Sequence, residues 1–579
     1  MEEHPLKRPI RVPGLSQLEA SVGNLSFLEK LVVGVLSLTA IVSGIMLLGV
    51  LTRSIMEEVP AHGGALVEGV VGAPRFINPI LAISDADRDL TQVVYSGLMR
   101  ALPDGTIVPD LAEEYEISDG GRVYTFTIRE DAVFHDNTPV TADDVLFTIQ
   151  KAQDSGIKSP KRANWEGVLV EKVDEHRVRF TLAQPYALFL ENTILGVLPA
   201  HIWKNIDTDQ FAFSTHNIEP VGSGPYRVVK LARNDAGVPE RYDLKAFSEY
   251  EAGEPFITNL SFIFFANEEE LFTAYSRGAI DAMNAINPET ATRAEELGAR
   301  IETYPLPRVF GVFFNHNQVP IFTSTAVREA LSLAIDREGL VGEVLKGYGT
   351  PATGPLPPKL VAGIDEEQME KDDDTLAAIA LLEANGWVKN EETGIFEKKG
   401  KSDTQILHFS LATSNAPELK AAAEYIAKEW RELGADVELR FFDTGSLNQE
   451  VIRPRKYDAL FFGQILGRQP DPFAFWHSSQ RNDPGLNIAL YTNIEVDAIL
   501  ERIRTLEDED ERAEAYSAFE DTVRDDIPAL FVYTPNFLYV VPKNIRGLEI
   551  GTVTTPAERF LSVHQWHIET QFVWPFLAQ

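Results

Sequence analysis

Three short stretches of the chain carry side chains that could do chemistry. His135-Asp136 sets an imidazole beside a carboxylate, a pairing that serves a general base or a metal site. Gly222-Ser223-Gly224 holds a serine between glycines, and His564 and His567 lie three residues apart. None has the partners that its chemistry requires, because a nucleophile elbow needs G-x-S-x-G and no second cluster accompanies the histidines. The chain also lacks H-E-x-x-H and a phosphate-binding loop, so the pattern favours a binding protein over an enzyme and predicts no catalytic residue, metal or cofactor.

The composition narrows the class of protein further. The chain has 579 residues, of which 44% are hydrophobic, enough for more than one core. Its formal net charge of −35 repels nucleic acid, so we expect no nucleic-acid partner and interpret the charge as serving solubility. The sequence contains no cysteine, which excludes disulfides, thiolate catalysis, cysteine zinc sites and a lipid-modified N-terminal cysteine.

The N-terminal part of the chain predicts a membrane anchor. Residues 31–51 are apolar and uncharged, and as an α-helix they would span about 31 Å, close to the hydrocarbon thickness of a bilayer. Basic residues precede this run and glutamates follow it, so the positive-inside rule places the C-terminal part of the chain outside the cytoplasm. We expect a cytoplasmic tail over 1–30, a single-pass signal anchor over 31–53 and a linker over 54–64. A long signal peptide that is removed is the alternative, although no convincing cleavage site follows the run.

Residues 121–152 contain the clearest succession of local structure signals. Apolar and polar side chains alternate over 124–129, which is the period of a strand with one buried face. Residues 136–139, D-N-T-P, then break the chain in a turn. Thr141 and Asp144 have the spacing of a capping box, so the sequence predicts a strand, a turn and a capped helix.

The same residues resemble the signature of bacterial ABC-transporter solute-binding proteins of family 5, whose members bind oligopeptides, dipeptides, nickel complexes and some oligosaccharides. The shared runs are Y-x-F-x-I-R, V-F-H-D-x-T-P and T-A-D-D-V-x-F. Asn137 stands where the family usually has glycine, and both residue types tolerate a positive φ. Further family-like motifs are P-V-G-S-G-P-Y at 220–226, A-I-D-A at 279–282 and V-R-E-A-L-x-x-A-I-D-R at 327–337. The resemblance runs from about residue 65 to 579.

The resemblance implies an α/β protein with the two-lobed periplasmic-binding-protein type II fold, an extra subdomain in the first lobe and one preceding transmembrane helix. The expected limits are a first lobe over 65–310 with the extra subdomain over 101–218, a second lobe over 311–530 and a return to the first lobe over 531–579. The family also implies a ligand that closes the lobes, an ABC permease as partner and a monomer.

The resemblance places candidate ligand-binding residues on both lobes. In peptide-binding members, an aspartate three residues before the D-P pair binds the amino terminus of the ligand, and here that position holds Arg468. A cation cannot pair with an ammonium, so Arg468 either binds a carboxylate or phosphate or forms a structural salt bridge. The candidates are Phe76, Asn78, Tyr226, Asn315, Gln464, Arg468, Phe473, Trp476 and Asn487.

Alternatives stay open on the sequence alone. An extended peptide is the ligand that the family implies, and an oligosaccharide stacked on aromatic side chains is the other. A surface-anchored hydrolase of peptides or glycans is the alternative from another class. The aromatic tail over 564–579 either docks on the first lobe or forms a surface patch.

Overall fold

The computed structural model describes residues 26–357, 374–400, 403–506 and 508–577. These residues form two compact units. The smaller unit contains the described residues up to Ala61 and from Glu569 onward, and the larger unit is His62–Ile568.

The smaller unit consists of one long helix and two strands. Helix α1, Phe27–Ile55, is followed at once by strand β1, Glu57–Ala61, which pairs antiparallel with the C-terminal strand β23, Glu569–Val573. Residues 31–51 of this helix carry no charge, and by its length and composition the helix could cross a membrane. The sequence predicts a linker over 54–64, and β1 forms within those residues. The residues of β1 give no local signal of a strand, because the strand with which they pair is more than 500 residues away in the sequence.

The larger unit contains α-helices, 3-10 segments and strands. Its α-helices are α2 Asp85–Val94, α3 Ala142–Gln153, α4 Arg162–Trp165, α5 Ala200–Trp203, α6 Glu268–Ser276, α7 Pro288–Glu296, α8 Thr325–Leu333, α9 Arg337–Val344, α10 Thr375–Ala384, α11 Pro417–Leu433, α12 Thr444–Ser446, α13 Phe473–Trp476, α14 Ile494–Ile503 and α15 Glu509–Asp526. Two 3-10 segments, Ala187–Ile194 and Pro556–Gln565, contribute to the site described below. Its strands are β2 Gly63–Val71, β3 Met99–Ala101, β4 Ile107–Pro109, β5 Ala112–Ser118, β6 Val123–Ile128, β7 Leu169–Lys172, β8 Arg177–Thr181, β9 Tyr226–Arg233, β10 Pro239–Ala246, β11 Ile257–Phe265, β12 Ala282–Asn284, β13 Arg300–Pro305, β14 Arg308–Phe314, β15 Gly349–Pro351, β16 Val388–Lys389, β17 Phe396–Lys399, β18 Thr404–Ile406, β19 His408–Ser414, β20 Asp436–Phe442, β21 Ala459–Ile465 and β22 Ala529–Val541.

A large mixed sheet runs through the unit and is organised around β22. Its hydrogen-bonded order is β20-β19-β21-β14-β22-β12-β2-β11-β10-β9, and β13 and β15 also pair with β22. The first half of β22, from Ala529 to Tyr533, pairs with β14, and the second half, from Asn536 to Val541, pairs with β13. Because β13 leads directly into β14, two chain segments cross side by side at this point of the sheet.

The buried apolar side chains divide the unit into two lobes at that crossing. One core and a small satellite contain residues up to Leu306 and from Phe537 onward, and they fill the first lobe. Two other cores lie between Val309 and Tyr533 and fill the second lobe. The predicted two-lobed α/β fold is confirmed, while the residue limits predicted for the lobes and the extra subdomain stay predictions. Since each lobe has cores of its own, the crossing segments can act as hinges between rigid bodies.

The family-like stretch folds as its local signals predict. In β6 the side chains of Tyr124, Phe126 and Ile128 are buried in the first-lobe core, while the intervening ones are half-buried. The turn that follows places Asn137 at φ 67°, in the left-handed region. Asp144 then accepts hydrogen bonds from the backbone nitrogen and the hydroxyl of Thr141, at 2.8 and 2.9 Å, and so caps α3.

Candidate functional site

A cavity of about 410 Å³ lies where the two lobes meet. Its walls come from first-lobe elements, chiefly α2, the segment Ala187–Ile194 and the segment Pro556–Gln565, and from Gly467 and Arg468 of the second lobe. This volume lies within the range that small-molecule sites usually occupy. The cavity is therefore a candidate binding site that needs both lobes for its walls.

Arg468 connects the lobes across this cavity. It lies just after β21 in the second lobe, and its guanidinium pairs with Glu191 at 3.4 Å and with Glu558 at 3.0 Å, both in the first lobe. The Arg468 side chain is only 5% exposed, although its Nε has no hydrogen-bond partner in the described part of the chain. The attraction between a buried arginine and its carboxylates offsets the cost of removing these charges from water only while they stay in contact. The contact therefore joins the two lobes across the cavity.

A second contact between the lobes lies close to the first. The backbone nitrogen of Ala187 donates a hydrogen bond of 3.1 Å to the carbonyl oxygen of Arg504. The Arg504 side chain in turn binds Asp471 at 2.6 Å and lies over the ring of Phe473, 3.8 Å from its centroid. The loop after β21 is thus held on the second lobe while it touches the first.

Charged side chains of both signs line the remaining wall. Arg88, Arg100 and Lys161 face the cavity together with Asp110. The pKa of Lys161 is lowered, because surrounding protein displaces water and Arg88 lies nearby, and no described carboxylate forms an ion pair with Lys161.

Two carboxylates of this wall have perturbed pKa values and an oxygen without a partner. Burial raises the pKa of Asp110 to about 7, although Arg100 and Ser96 lower it in part. Burial also raises the pKa of Glu191, against the lowering effect of Arg468. Oδ1 of Asp110 and Oε1 of Glu191 have no hydrogen-bond partner among the described residues. Buried polar atoms without partners are costly, so these oxygens are suited to accept hydrogen bonds from a ligand.

A second group of charges lies within the first lobe. Arg559 binds both oxygens of Asp89, at 2.9 and 2.7 Å, and lies 3.5 Å from Glu68, whose other oxygen accepts a hydrogen bond from Tyr539. The side chains of Arg559, Asp89 and Glu68 are fully buried. Burial raises the pKa of Glu68 to about 6, even though Arg559 lowers it. Because Asp89 is part of α2 and Arg559 follows Glu558, this group supports two of the cavity walls from inside the lobe.

Of the predicted ligand-binding residues, Arg468 is part of the cavity wall. Phe473 is half-buried between Arg504 and His477, whose ring is stacked on it at 4.1 Å. Phe76 packs against the first-lobe core and lies under the guanidinium of Arg75. Contact of Phe76 and Phe473 with ligand stays a prediction.

Four other predicted residues are buried and hydrogen-bonded within the scaffold. Nδ2 of Asn78 donates to Asn217, and that of Asn315 donates to the carbonyl of Arg455. The hydroxyl of Tyr226 donates to a main-chain carbonyl at 2.8 Å, and Nδ2 of Asn487 donates to three carbonyls at 3.0 to 3.2 Å. These bonds satisfy polar groups in the interior and fix loops, a role that local sequence does not distinguish from ligand binding.

The last two predicted residues lie in the second lobe. Trp476 is fully buried among Phe313, Phe519 and Phe531 in the second-lobe core. Gln464 of β21 is 2% exposed, and neither its Oε1 nor its Nε2 has a partner in the described ranges. A ligand role for either residue stays a prediction.

The residues with possible catalytic chemistry are separated by the fold. Nε2 of His135 lies 2.9 Å from the carbonyl oxygen of Gly224, whereas the carboxylate of Asp136 lies 2.8 Å from His201. Burial lowers the pKa of His135 to about 4, so the ring is neutral at pH 7. His135 therefore joins the turn of the signature to the glycine loop at 222–224.

Several charged residues of the cavity wall are not among the residues that the sequence predicts. Glu191 is 277 residues from Arg468, and it lies in an irregular 3-10 segment with no pattern that predicts a site. Glu558, Lys161 and Asp110 likewise belong to no motif in the sequence that predicts a binding site. Alignment with relatives is the kind of signal that could have identified them.

The protein has two lobes with separate cores, and crossing strands join them around a cavity with charged walls. This architecture is typical of proteins that capture a small solute between their lobes. The chain belongs to the bacterial extracellular solute-binding proteins of family 5, whose model, described as the middle part of the family, matches residues 106–486. The prediction that the protein is a solute-binding protein rather than an enzyme is confirmed by this membership.

Similar proteins include binders with different ligands. The oligopeptide-binding protein AppA of Bacillus subtilis is 26% identical over 519 residues, which cover 88% of this chain and 92% of AppA. NikZ from Campylobacter jejuni, whose crystal structure was solved in complex with Ni(L-His), is 26% identical in sequence to this chain. The match covers 87% of this chain and 99% of NikZ, with a TM-score of 0.67. The ABC-transporter substrate-binding protein CtaP from Listeria monocytogenes is 27% identical, covers 88% of this chain and 100% of CtaP, and gives a TM-score of 0.72.

Proposed function

We propose that this protein captures a small charged solute, such as a short peptide, in the cavity between its lobes and delivers it unaltered to an ABC permease. The observation that carries the proposal is the cavity itself, whose walls hold charges of both signs and are completed across the lobes by Arg468. The peptide class is suggested by the name of AppA, and the nickel complex bound to NikZ keeps a metal chelate as the other candidate.

The distribution of charge fits a zwitterion. A carboxylate of the solute has Lys161, Arg88 and Arg100 as possible partners, and Lys161 has no ion pair with a described carboxylate. An ammonium has the open oxygens of Asp110 and Glu191. Arg468, which replaces the aspartate of peptide-binding members, is occupied by Glu191 and Glu558 and so acts between the lobes rather than on an amino terminus.

The proposal includes a membrane tether. Helix α1 is long and apolar, and its exposed side chains have no protein face to cover them among the described residues. Held by such a helix, the binding unit stays near its permease at an effective concentration on the order of millimolar. Flotation of the full chain with lipid vesicles tests the tether. We expect the chain to float with the vesicles and to stay bound to them in alkaline carbonate.

Native mass spectrometry of the full chain in detergent tests the ligand. We expect a bound mass that is released intact when the protein is denatured, because two-lobed binders enclose their solute. Turnover of di- and tripeptides would show an enzyme, and a chain that neither carries a solute nor gains thermal stability from peptides or metal chelates would contradict the proposal.

A matched pair of lysines tests the position of the site. Lys161→Met removes the ammonium that faces the cavity and should weaken binding of the identified solute at least tenfold, as expected for loss of a charge-assisted hydrogen bond of about 1.4 kcal/mol. Lys158→Met changes a lysine three residues earlier that is exposed like Lys161 but lies outside the wall, and it should leave the affinity unchanged. Equal effects of the two variants would place the ligand elsewhere.

A further inference from the structure

The C-terminal strand returns the end of the chain to the end of the apolar helix. β23 pairs antiparallel with β1 in a register that places Val573 opposite Glu57 and Glu569 opposite Ala61. Since residue numbers rise along β23 as they fall along β1, residues after Val573 continue toward Ile55, where α1 ends. The pairing is reinforced by a hydrogen bond of 2.6 Å from the Thr570 hydroxyl to Glu58.

The residues that arrive at this point are aromatic and exposed. Trp574 is 37% exposed and Phe576 is 74% exposed, and their rings stack at 6.5 Å. The other six tryptophans of the chain are at most 2% exposed. A tail that keeps two large stacked rings in water loses apolar contact that an interface would provide.

The depth of this tail follows from the helix. The uncharged run ends at Leu51, and Ile55 lies four residues further on, which is about 6 Å along a helix axis. The headgroup zone on each side of the hydrocarbon core is about 5–8 Å thick, so the end of α1 falls within it. Tryptophan and other aromatic side chains are enriched at that level, where a ring has both apolar and polar surroundings.

From the register and the exposure we infer that Trp574 and Phe576 insert into the lipid interface beside the exit of α1 and so add a second membrane contact to that of the helix. The inference rests on the proposed membrane tether and adds a second contact to it. The partner is the interfacial layer of a bilayer, and the contact is apolar. Glu57 and Glu58 lie next to the tail on β1, so the contact gains nothing from anionic headgroups.

Tryptophan quenching by lipids tests this contact in the full chain. The protein is reconstituted in phosphatidylcholine vesicles that contain lipids brominated near the headgroup, and Trp574→Phe serves as the control because it keeps an aromatic ring. We expect the brominated lipid to remove up to about one seventh of the emission, since the chain has 7 tryptophans, and this loss should be absent in Trp574→Phe. The loss should persist in high salt, because screening does not weaken an apolar contact.

The possible outcomes separate the inference from the tether. Equal quenching in the two proteins, quenching of Trp574 by iodide from the water phase, or loss of lipid quenching in high salt would overturn the inference while flotation still supports the tether. Failure of the full chain to float would overturn both. A Phe576→Ser variant gives an independent reading, because it should increase iodide quenching of Trp574 while the binding unit keeps its melting temperature.

Discussion

Two groups near the cavity are built from the same parts, one arginine and two carboxylates, but one lies within the first lobe and the other spans both lobes. Arg559 with Asp89 and Glu68 is fully buried, and each of the four carboxylate oxygens has a hydrogen-bond or ion-pair partner. Arg468 pairs with Glu191 at 3.4 Å and with Glu558 at 3.0 Å, and Oε1 of Glu191 has no hydrogen-bond partner among the described residues. The two groups are adjacent, because Glu558, the second partner of Arg468, directly precedes Arg559 in the chain.

The difference comes from which lobes supply the charges. Glu68 on β2, Asp89 on α2 and Arg559 all belong to the first lobe, so their geometry is fixed by one core. Arg468 comes from the second lobe and meets its partners only when the lobes are together. The same residue types therefore form a structural ion pair in one place and a separable contact in the other, and the separable contact is the one at the cavity.

The largest expected effect is on the buried group. Arg559→Met would leave Asp89 and Glu68 buried without their cation and should lower the free energy of unfolding by about 3–5 kcal/mol. Urea denaturation measures the loss. Arg468→Met is the matched variant, because it removes the same charge at the contact between the lobes. It should lower the free energy of unfolding by clearly less than Arg559→Met does. Similar losses would show that the two groups do not differ.

The pH dependence of stability next separates the cavity wall, represented by Asp110, from the buried group, represented by Glu68. Asp110 at the cavity has its pKa raised to about 7 and Glu68 in the buried group to about 6, so each prefers to be protonated in the folded state. Their stabilisation is present below the pKa values of the unfolded chain and is lost as pH rises through the folded values, by about 1.4 kcal/mol per pH unit for each group.

The corresponding amide variants should remove these slopes in different windows. Asp110→Asn should abolish the loss of stability that continues up to about pH 7. Glu68→Gln should abolish the loss of stability that ends near pH 6. The charged neighbours Arg100, Arg129 and Glu251 of Asp110 remain in the first variant. Thermal unfolding between pH 4 and 8 measures both, and a slope unchanged by Asp110→Asn would contradict the burial of that carboxyl.

The third prediction concerns opening of the lobes. Arg468→Met should increase hydrogen exchange of the Ala187 amide about tenfold, which corresponds to a loss of about 1.4 kcal/mol, because its bond to Arg504 crosses the same boundary. Amides of β22 that bond within a lobe serve as internal controls and should exchange as before. Exchange that is unchanged at Ala187 would show that Arg468 does not hold the lobes.

The smallest effects distinguish the two partners of Arg468. A double-mutant cycle with Glu558→Gln should give a coupling energy of about 1 kcal/mol, because the contact is 3.0 Å and the carboxylate is held in place by the Thr554 amide at 2.7 Å. The cycle with Glu191→Gln, at 3.4 Å, should give about half as much. A larger coupling to Glu191 would reverse the ranking of the two contacts.

Much of the fold follows from the sequence, because local physics and the family-like motifs agree. The strand, turn and capped helix of residues 121–152 and the apolar helix near the N-terminus form where the sequence places them. In each case the signals are contained in the segment itself, as alternation, capping or length of an apolar run.

The candidate site and the unit at the two ends of the chain were decided by tertiary structure. The sequence marks Arg468 as unusual for the family, but its pairing with Glu191 and Glu558 depends on how the two lobes pack. The sequence could not choose between docking and exposure for the aromatic tail, and the fold does both, burying Trp566 in the first-lobe core and leaving Trp574 exposed beyond β23. Sequence spacing determines which side chains share a face of one element, whereas contacts between residues hundreds of positions apart depend on how separate elements pack.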